Sequence, residues 1–218
     1  MEKLTCPRPL KRTLEAARID IMKTSGVILD RDGTINEQVG YVNHVDRFWL
    51  LPRAAAAIRL LNEASIPVAI ATNQAGAARG YYPENMVEMV HDKMAAQLRA
   101  DGARIDRIYV CPHLPGATIP HLDIQCECRK PKTAMLEWAA MDLGFDLTMS
   151  YVVGDRLNDI RCGQAVGARG ILVLTGYGKG EQAFSSAGTT PDFIADDLYD
   201  AVLWILDDIR KGSLRRTL

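Results

Sequence analysis

The chain has 218 residues, 48% apolar and 24% charged, which is ordinary globular usage and enough for one domain with a full core. Its formal net charge of −1 excludes a bulk field that would recruit nucleic acid or an anionic membrane, and apolar runs such as 67–71 and 151–153 are too short to span a bilayer. Glu2, Lys3, Arg8 and Lys11 open the chain with no apolar core behind them, so no secretory signal is expected; the protein reads as cytoplasmic, with a monomer favoured.

Residues 1–25 read as an N-terminal extension and 26–218 as one domain. Pro7 and Pro9 break any regular element before them, and Leu10 to Ile21 has the spacing of a short amphipathic helix. The core begins with the apolar run Gly26-Val27-Ile28-Leu29, a buried strand that stops at the polar segment Asp30-Arg31-Asp32-Gly33-Thr34. Pro52 to Ala64 reads as a helix with proline in its first turn. Ile66 to Ala71 reads as a strand, followed by Thr72-Asn73-Gln74. A longer helix over Pro83 to Ala100 stops at Asp101-Gly102.

Ile105 to Val110 is the next strand, leading into Cys111-Pro112-His113, a loop from Leu114 to Gln125, and Cys126-Glu127-Cys128. Arg129-Lys130-Pro131-Lys132 then precedes a helix at Thr133 to Leu143 that ends at Gly144. A strand at Tyr151 to Val153 runs into Gly154-Asp155-Arg156-Leu157-Asn158-Asp159 and a helix to about Val166. A strand at Gly170 to Leu174, a Gly/Ser/Thr-rich loop from Gly176 to Thr190, a short strand near Phe193-Ile194 and a helix from Leu198 to Lys211 complete the domain. Short apolar strands separated by helices predict an α/β fold, a parallel sheet covered on both faces, with its ligand crevice beyond the carboxyl ends of the strands. The interval 35–65 holds one helix and a loop, leaving no room for a large cap domain.

The polar residues that follow these strands share one chemistry. A carboxylate and a phosphate monoester repel unless their charge is offset. Magnesium held by carboxylates and a carbonyl, a lysine aimed at the phosphoryl group, and a threonine hydroxyl beside backbone N–H groups supply that offset. A covalent aspartyl-phosphate splits one hard step into two, and a second acid nearby protonates the leaving alkoxide and then activates water. Each piece alone has a plainer reading: Asp32-Gly33 as a turn, Thr72 as a strand-end hydroxyl, Lys130 as a solvated lysine, Asp155 and Asp159 as helix-start charges. Their order and common placement favour the joint reading.

The four segments resemble the four motifs of the haloacid dehalogenase (HAD) superfamily of phosphohydrolases, which implies a Rossmann-like fold. That resemblance implies Asp30 as nucleophile, Asp32 as general acid/base, and Thr72 with Lys130 as the phosphoryl-binding pair. Asp155, Asp30 and the backbone carbonyl of Asp32 would be the magnesium ligands, with Asp159 supporting them from behind.

Cys111, His113, Cys126 and Cys128 offer three thiolates and an imidazole, a donor set suited to a closed tetrahedral zinc site that pins the 111–128 loop. That loop carries Pro115, Gly116 and Pro120 and little apolar material, so a metal clip is expected to supply its stability. Free thiols in a reducing compartment and a redox pair at Cys126 and Cys128 are the competing readings, and His121 competes with His113 for the fourth position.

From Val27 to about Thr175 the chain is similar to the D-glycero-D-manno-heptose 1,7-bisphosphate phosphatases. The match rests on Asp30-Arg31-Asp32-Gly33-Thr34-Ile35-Asn36, Gly40-Tyr41-Val42, Thr72-Asn73-Gln74-Ala75-Gly76, Ala78-Arg79-Gly80-Tyr81 and the cysteine pairs. The resemblance implies a small phosphorylated sugar as substrate, loss of its C7 phosphate, and contacts from Gln38, Gly40, Tyr41, Asn73, Gln74, Arg129 and Arg156. Arg129 has a physical case besides, as a planar donor fork for a second phosphate or sugar oxygens. Gln38, Ala75, Lys132-Thr133 and Arg156 depart from the usual pattern at positions that bear on substrate choice. Cys111-Pro112-His113-Leu114-Pro115 and Arg129-Lys130-Pro131-Lys132 resemble histidinol-phosphate phosphatases at least as much, whereas Gly40-Tyr41-Val42 and Ala78-Arg79-Gly80-Tyr81 favour the heptose branch. Asp32 argues against a phosphoaspartyl switch, and the intact set of Asp30, Asp32, Lys130 and Asp155 argues against a silent zinc-stapled scaffold.

Overall fold

The structure is a computed structural model that describes residues 24–183 and 188–216. The N-terminal helix expected at Leu10 to Ile21 lies outside those residues. Six parallel strands form one sheet: β1 (Val27–Leu29), β2 (Val68–Asn73), β3 (Arg107–Cys111), β4 (Tyr151–Gly154), β5 (Arg169–Val173) and β6 (Phe193–Ala195). Their order across the sheet is β3-β2-β1-β4-β5-β6. The chain therefore winds outward from β1 to β3, returns to place β4 beside β1, and winds outward again. The reversal between β1 and β4 opens a crevice at their carboxyl ends, the usual ligand position in such sheets.

Alternation along each strand explains the two layers. Val27 and Leu29 face one side of the sheet and Ile28 the other, and all three are fully buried, each contributing about 1.5–3 kcal/mol. The first side is covered by α1 (Ala54–Glu63), α2 (Asn85–Ala100) and α6 (Leu198–Arg216), through Ile58, Leu61, Met94, Val202 and Ile205 among others. The second is covered by Met135, Leu136 and Ala139 of α3 (Ala134–Leu143) and Cys162 of α4 (Leu157–Ala165). Gly144 ends α3 with φ 72°, a conformation that favours glycine.

Between β1 and β2 the only regular elements are a 3-10 turn at Val45–Arg47 and α1, so no cap domain is inserted there among the described residues. Two expectations change. The Gly/Ser/Thr-rich segment after β5 contains a short helix, α5 (Gly178–Ala183). The 111–128 loop is not without a core: Leu122 is buried against Ala77, Ala78, Tyr82 and Val87, with Leu114 and Ile119 packed on them. Sparse apolar residues sufficed because their partners come from the segment before α2 and from its first turn. No helix among the described residues is long and apolar enough to cross a membrane.

A second concavity lies at the opposite, amino edge of the sheet. It is lined by Thr24, Ser65, Thr148, Arg169, Asp208 and Gly212, among others.

Candidate active site

The turn after β1 is held by its own backbone. Ile35 and Asn36 donate to the Arg31 carbonyl (2.8 and 3.2 Å), and Gly33 donates to the Asn36 carbonyl (2.7 Å). Gly33 has φ 82°, and a Cβ there would lie 2.0 Å from Asp155 Oδ2. Gly176, after β5, has φ 55° and would meet the same oxygen at 2.1 Å. Two glycines thus let the backbone close on one carboxylate.

That carboxylate is fully buried, and Oδ1 of Asp155 has no hydrogen-bond partner among the described residues. Its Oδ2 accepts from the Tyr177 N–H at 2.8 Å. Asp30, Asp155 and Asp159 each bring an oxygen to within 4.8 Å of the others. Burial, followed by the charges of Asp30 and Asp159, raises the Asp155 carboxyl to about 7 against the opposing Tyr177 bond. Three carboxylates this close repel, and a cation relieves them.

Lys130 supplies one positive charge. Its Nζ lies 2.9 Å from Asp30 and 2.6 Å from Asp159, with the side chain 4% exposed. Burial alone would lower the ammonium, but Asp159 and Asp30 more than offset it and raise it above the usual lysine range. The backbone around Lys130 is clasped by Asn73, whose Nδ2 donates to the Lys130 carbonyl and whose Oδ1 accepts from the Lys130 N–H, both at 3.1 Å. A strand end thereby fixes a residue from a distant loop.

Asp32 is held by five donations. Oδ1 accepts from Arg31 Nε (3.2 Å), Arg31 Nη2 (2.9 Å) and Asn36 Nδ2 (2.9 Å); Oδ2 accepts from Arg31 Nη2 (2.8 Å) and Gln74 Nε2 (2.7 Å). Burial pulls the carboxyl upward, but the Arg31 guanidinium and the bonds from Asn36, Gln74 and Arg31 hold it below the ordinary value.

Asp30, Asp32, Gln38, Gly40, Tyr41, Thr72, Asn73, Arg129, Lys130 and Arg156 line one cavity of about 280 Å³. Gln74 is the exception among the expected contacts. It is buried, donating to Asp32 and to Thr72 Oγ1 (3.0 Å) while accepting from the Tyr82 hydroxyl (3.3 Å), so it braces the site from behind. The sequence reading missed Asn158 and Tyr177, which also line the cavity. The Arg156 guanidinium lies over the Tyr177 ring at 4.0 Å, a cation–π contact that orients it. Gly176-Tyr177 follows a strand end like the other segments, and that placement was the available signal. Tyr41 meets Tyr81 edge-on at 4.9 Å on the rim.

Cys111, His113, Cys126 and Cys128 form a second cluster, their donor atoms within 4.8 Å of one another. The Cys126 and Cys128 sulfurs are 3.3 Å apart, and Cys128 Sγ lies 3.4 Å from His113 Nδ1. The neighbouring Cys128 and burial push the Cys111 thiol well above its usual range. His121 stands apart, exposed and bonded to Glu84 at 2.7 Å, which leaves His113 as the fourth member. Arg129 links the clusters by donating to the His113 carbonyl at 3.2 Å.

Comparison with known proteins supplies a context. A HAD-hydrolase-like family model matches residues 127–201. A D-glycero-D-manno-heptose-1,7-bisphosphate 7-phosphatase of Thermosynechococcus vestitus is 40% identical over 190 residues, covering 84% of this chain and 96% of the relative. One of Chlorobaculum tepidum is 41% identical over 182 residues, covering 81% and 91%. The crystal structure of D,D-heptose 1,7-bisphosphate phosphatase from B. bronchiseptica, complexed with magnesium and phosphate, superposes with a TM-score of 0.76 at 33% identity, covering 85% of this chain and 99% of that one.

Proposed function

The chain belongs to the D-glycero-D-manno-heptose-1,7-bisphosphate 7-phosphatase family of HAD-like hydrolases, and we propose that it removes the C7 phosphate of that sugar bisphosphate through an aspartyl-phosphate on Asp30. The observation that carries this reading is the convergence of Asp30, Asp155 and Asp159, the first and last held by Lys130, at the carboxyl edge of β1 and β4.

The residues fit a magnesium ion. Asp155 Oδ1 is a buried acceptor without a partner, and the three carboxylates offer hard oxygen donors. Asp30, Asp155 and the Asp32 carbonyl would hold the ion, with Asp159 engaged by Lys130 and by the Arg156 N–H at 3.2 Å. When bound, magnesium neutralises phosphate oxygens and lowers the repulsion met by the attacking carboxylate.

The chain's own groups carry the rest. Asp30 attacks phosphorus; as its O–P bond forms, the bond to the sugar oxygen breaks and Asp32 gives that oxygen a proton. Asp32 then takes a proton from water, which attacks the same phosphorus and frees Asp30 with release of phosphate. The low resting affinity of Asp32 for a proton suits this second half-reaction, and a bound phosphate dianion beside it favours the protonated form that the first requires. Lys130 and the Thr72 hydroxyl orient the phosphoryl group, and Lys130 balances the charge on Asp30 before attack. Arg129 and Arg156, with the Tyr41 side, form the outer wall where the remainder of the sugar sits.

For the sulfur cluster we infer structural zinc. Three soft sulfur donors closed by an imidazole, with the Cys111 thiol pushed up by Cys128 and burial, fit that ion and leave no position for a reactant.

The test of the substrate is kcat/KM measured side by side on the α and β anomers of heptose 1,7-bisphosphate and on histidinol phosphate. A heptose anomer is expected to lead by tenfold or more on general specificity arithmetic. Preference for histidinol phosphate overturns the assignment.

A further inference from the structure

Arg31 lies between the proposed nucleophile and acid, yet it does not face the cavity. Its side chain is 1% exposed, and two of its nitrogens grip both oxygens of Asp32. The third, Nη1, lies 3.2 Å from Nε2 of His91, on α2. A guanidinium only donates, so His91 Nε2 accepts and the imidazole proton sits on Nδ1. Burial, then the charge of Arg31, pushes His91 down to about 3, and the ring is neutral at working pH.

A neutral acceptor is the useful partner here. It satisfies a buried donor that would otherwise go unpaired at a cost, and leaves the positive charge of Arg31 directed at Asp32. A carboxylate at position 91 would divide that charge. Three of the five donations to Asp32 come from Arg31, so whatever fixes the guanidinium fixes the carboxylate.

We propose that His91 is a positioning residue for proton transfer at Asp32, acting through Arg31. The inference rests on the acid/base reading of Asp32. A structural role would slow every substrate alike. A role through Asp32 is felt when the leaving group needs a proton and fades when it does not.

The experiment compares kcat/KM on heptose 1,7-bisphosphate, which releases a sugar alkoxide, with that on p-nitrophenyl phosphate, whose leaving group departs unaided. Because kcat/KM ends at the first irreversible departure, hydrolysis of the acyl-phosphate does not blur it. The magnesium-loaded full chain is used with His91→Leu, His91→Gln and Asp32→Asn. His91→Leu is expected to lose about tenfold on the sugar substrate and less than about threefold on the aryl one, a fraction of the full acid effect. His91→Gln, which keeps an acceptor, restores most of the loss. Should leucine prevent folding, His91→Asn, whose acceptor is drawn back from Arg31, is judged by the same ratio. Equal losses on both substrates, or no rescue by glutamine, overturn the inference. If Asp32→Asn itself fails to discriminate, the acid assignment falls and takes the inference with it. If Asp32→Asn discriminates and the His91 variants do not, only the inference falls.

Discussion

Two clusters of ionisable side chains lie on either side of Arg129, and each gathers its donor atoms within 4.8 Å. One is built from carboxylates that follow β1 and β4 and from Asp159 in the first turn of α4, opens into a cavity, and is braced by Lys130. The other is built from sulfur and imidazole at the end of β3 and on the loop after it, and brings four donor atoms together. Similar spacing therefore serves opposite ends. Hard donors with an open side suit an ion that must accept a substrate oxygen; soft donors with none suit an ion that holds a loop.

The contrast breaks most readily at Asp30. Asp30→Asn should lower kcat by a thousandfold or more, on the order of other nucleophile deletions, with the thermal midpoint nearly unchanged. Retained turnover in a steady-state assay with magnesium would remove the chemistry from this cluster. Cys126→Ser is the mirror experiment. Loss of this proposed zinc ligand should cost about 3 kcal/mol of stability and move Tm down by about 6–12 °C, while kcat/KM well below Tm stays within a few fold. Calorimetry and metal analysis check this together; full stability with no bound zinc would erase the distinction.

Gly33→Ala tests whether the open cluster depends on backbone as well as charge. Left-handed φ and a Cβ 2.0 Å from Asp155 Oδ2 should cost about 1–3 kcal/mol and weaken magnesium activation, read as a shifted magnesium dependence of rate. The smallest effect concerns His91. Its folded form resists protonation, so below about pH 6.5 the unfolded chain binds a proton that the native chain refuses, and stability falls with pH. Between pH 6.5 and 5.5 this contributes about 1 kcal/mol. Urea titrations should show a flatter acid limb for His91→Gln, and an unchanged slope would refute the buried neutral imidazole.

The sheet, its helices and the segments after β1, β2 and β4 were legible because each strand is a short apolar run closed by unusual polar residues. The grouping of Cys111, His113, Cys126 and Cys128 was legible from their paired spacing. Three features were hidden, for one reason: each depends on contacts between distant segments. Leu122 finds its core in Ala77, Ala78, Tyr82 and Val87. Gln74 turns away from the cavity because Asp32 and Tyr82 lie behind it. The acceptor for Arg31 sits sixty residues away on α2, and nothing local to either residue announces the other.

The concavity at the amino edge of the sheet brings Thr24, at the start of the described chain, near Gly212 of α6. The cavity lined by Asp30 and Lys130 lies at the other edge. A bead, electrode or fluorophore tethered through either end of the domain should thus leave the mouth of the pocket pointing away from the support, and an immobilised preparation should turn over substrate as the free one does.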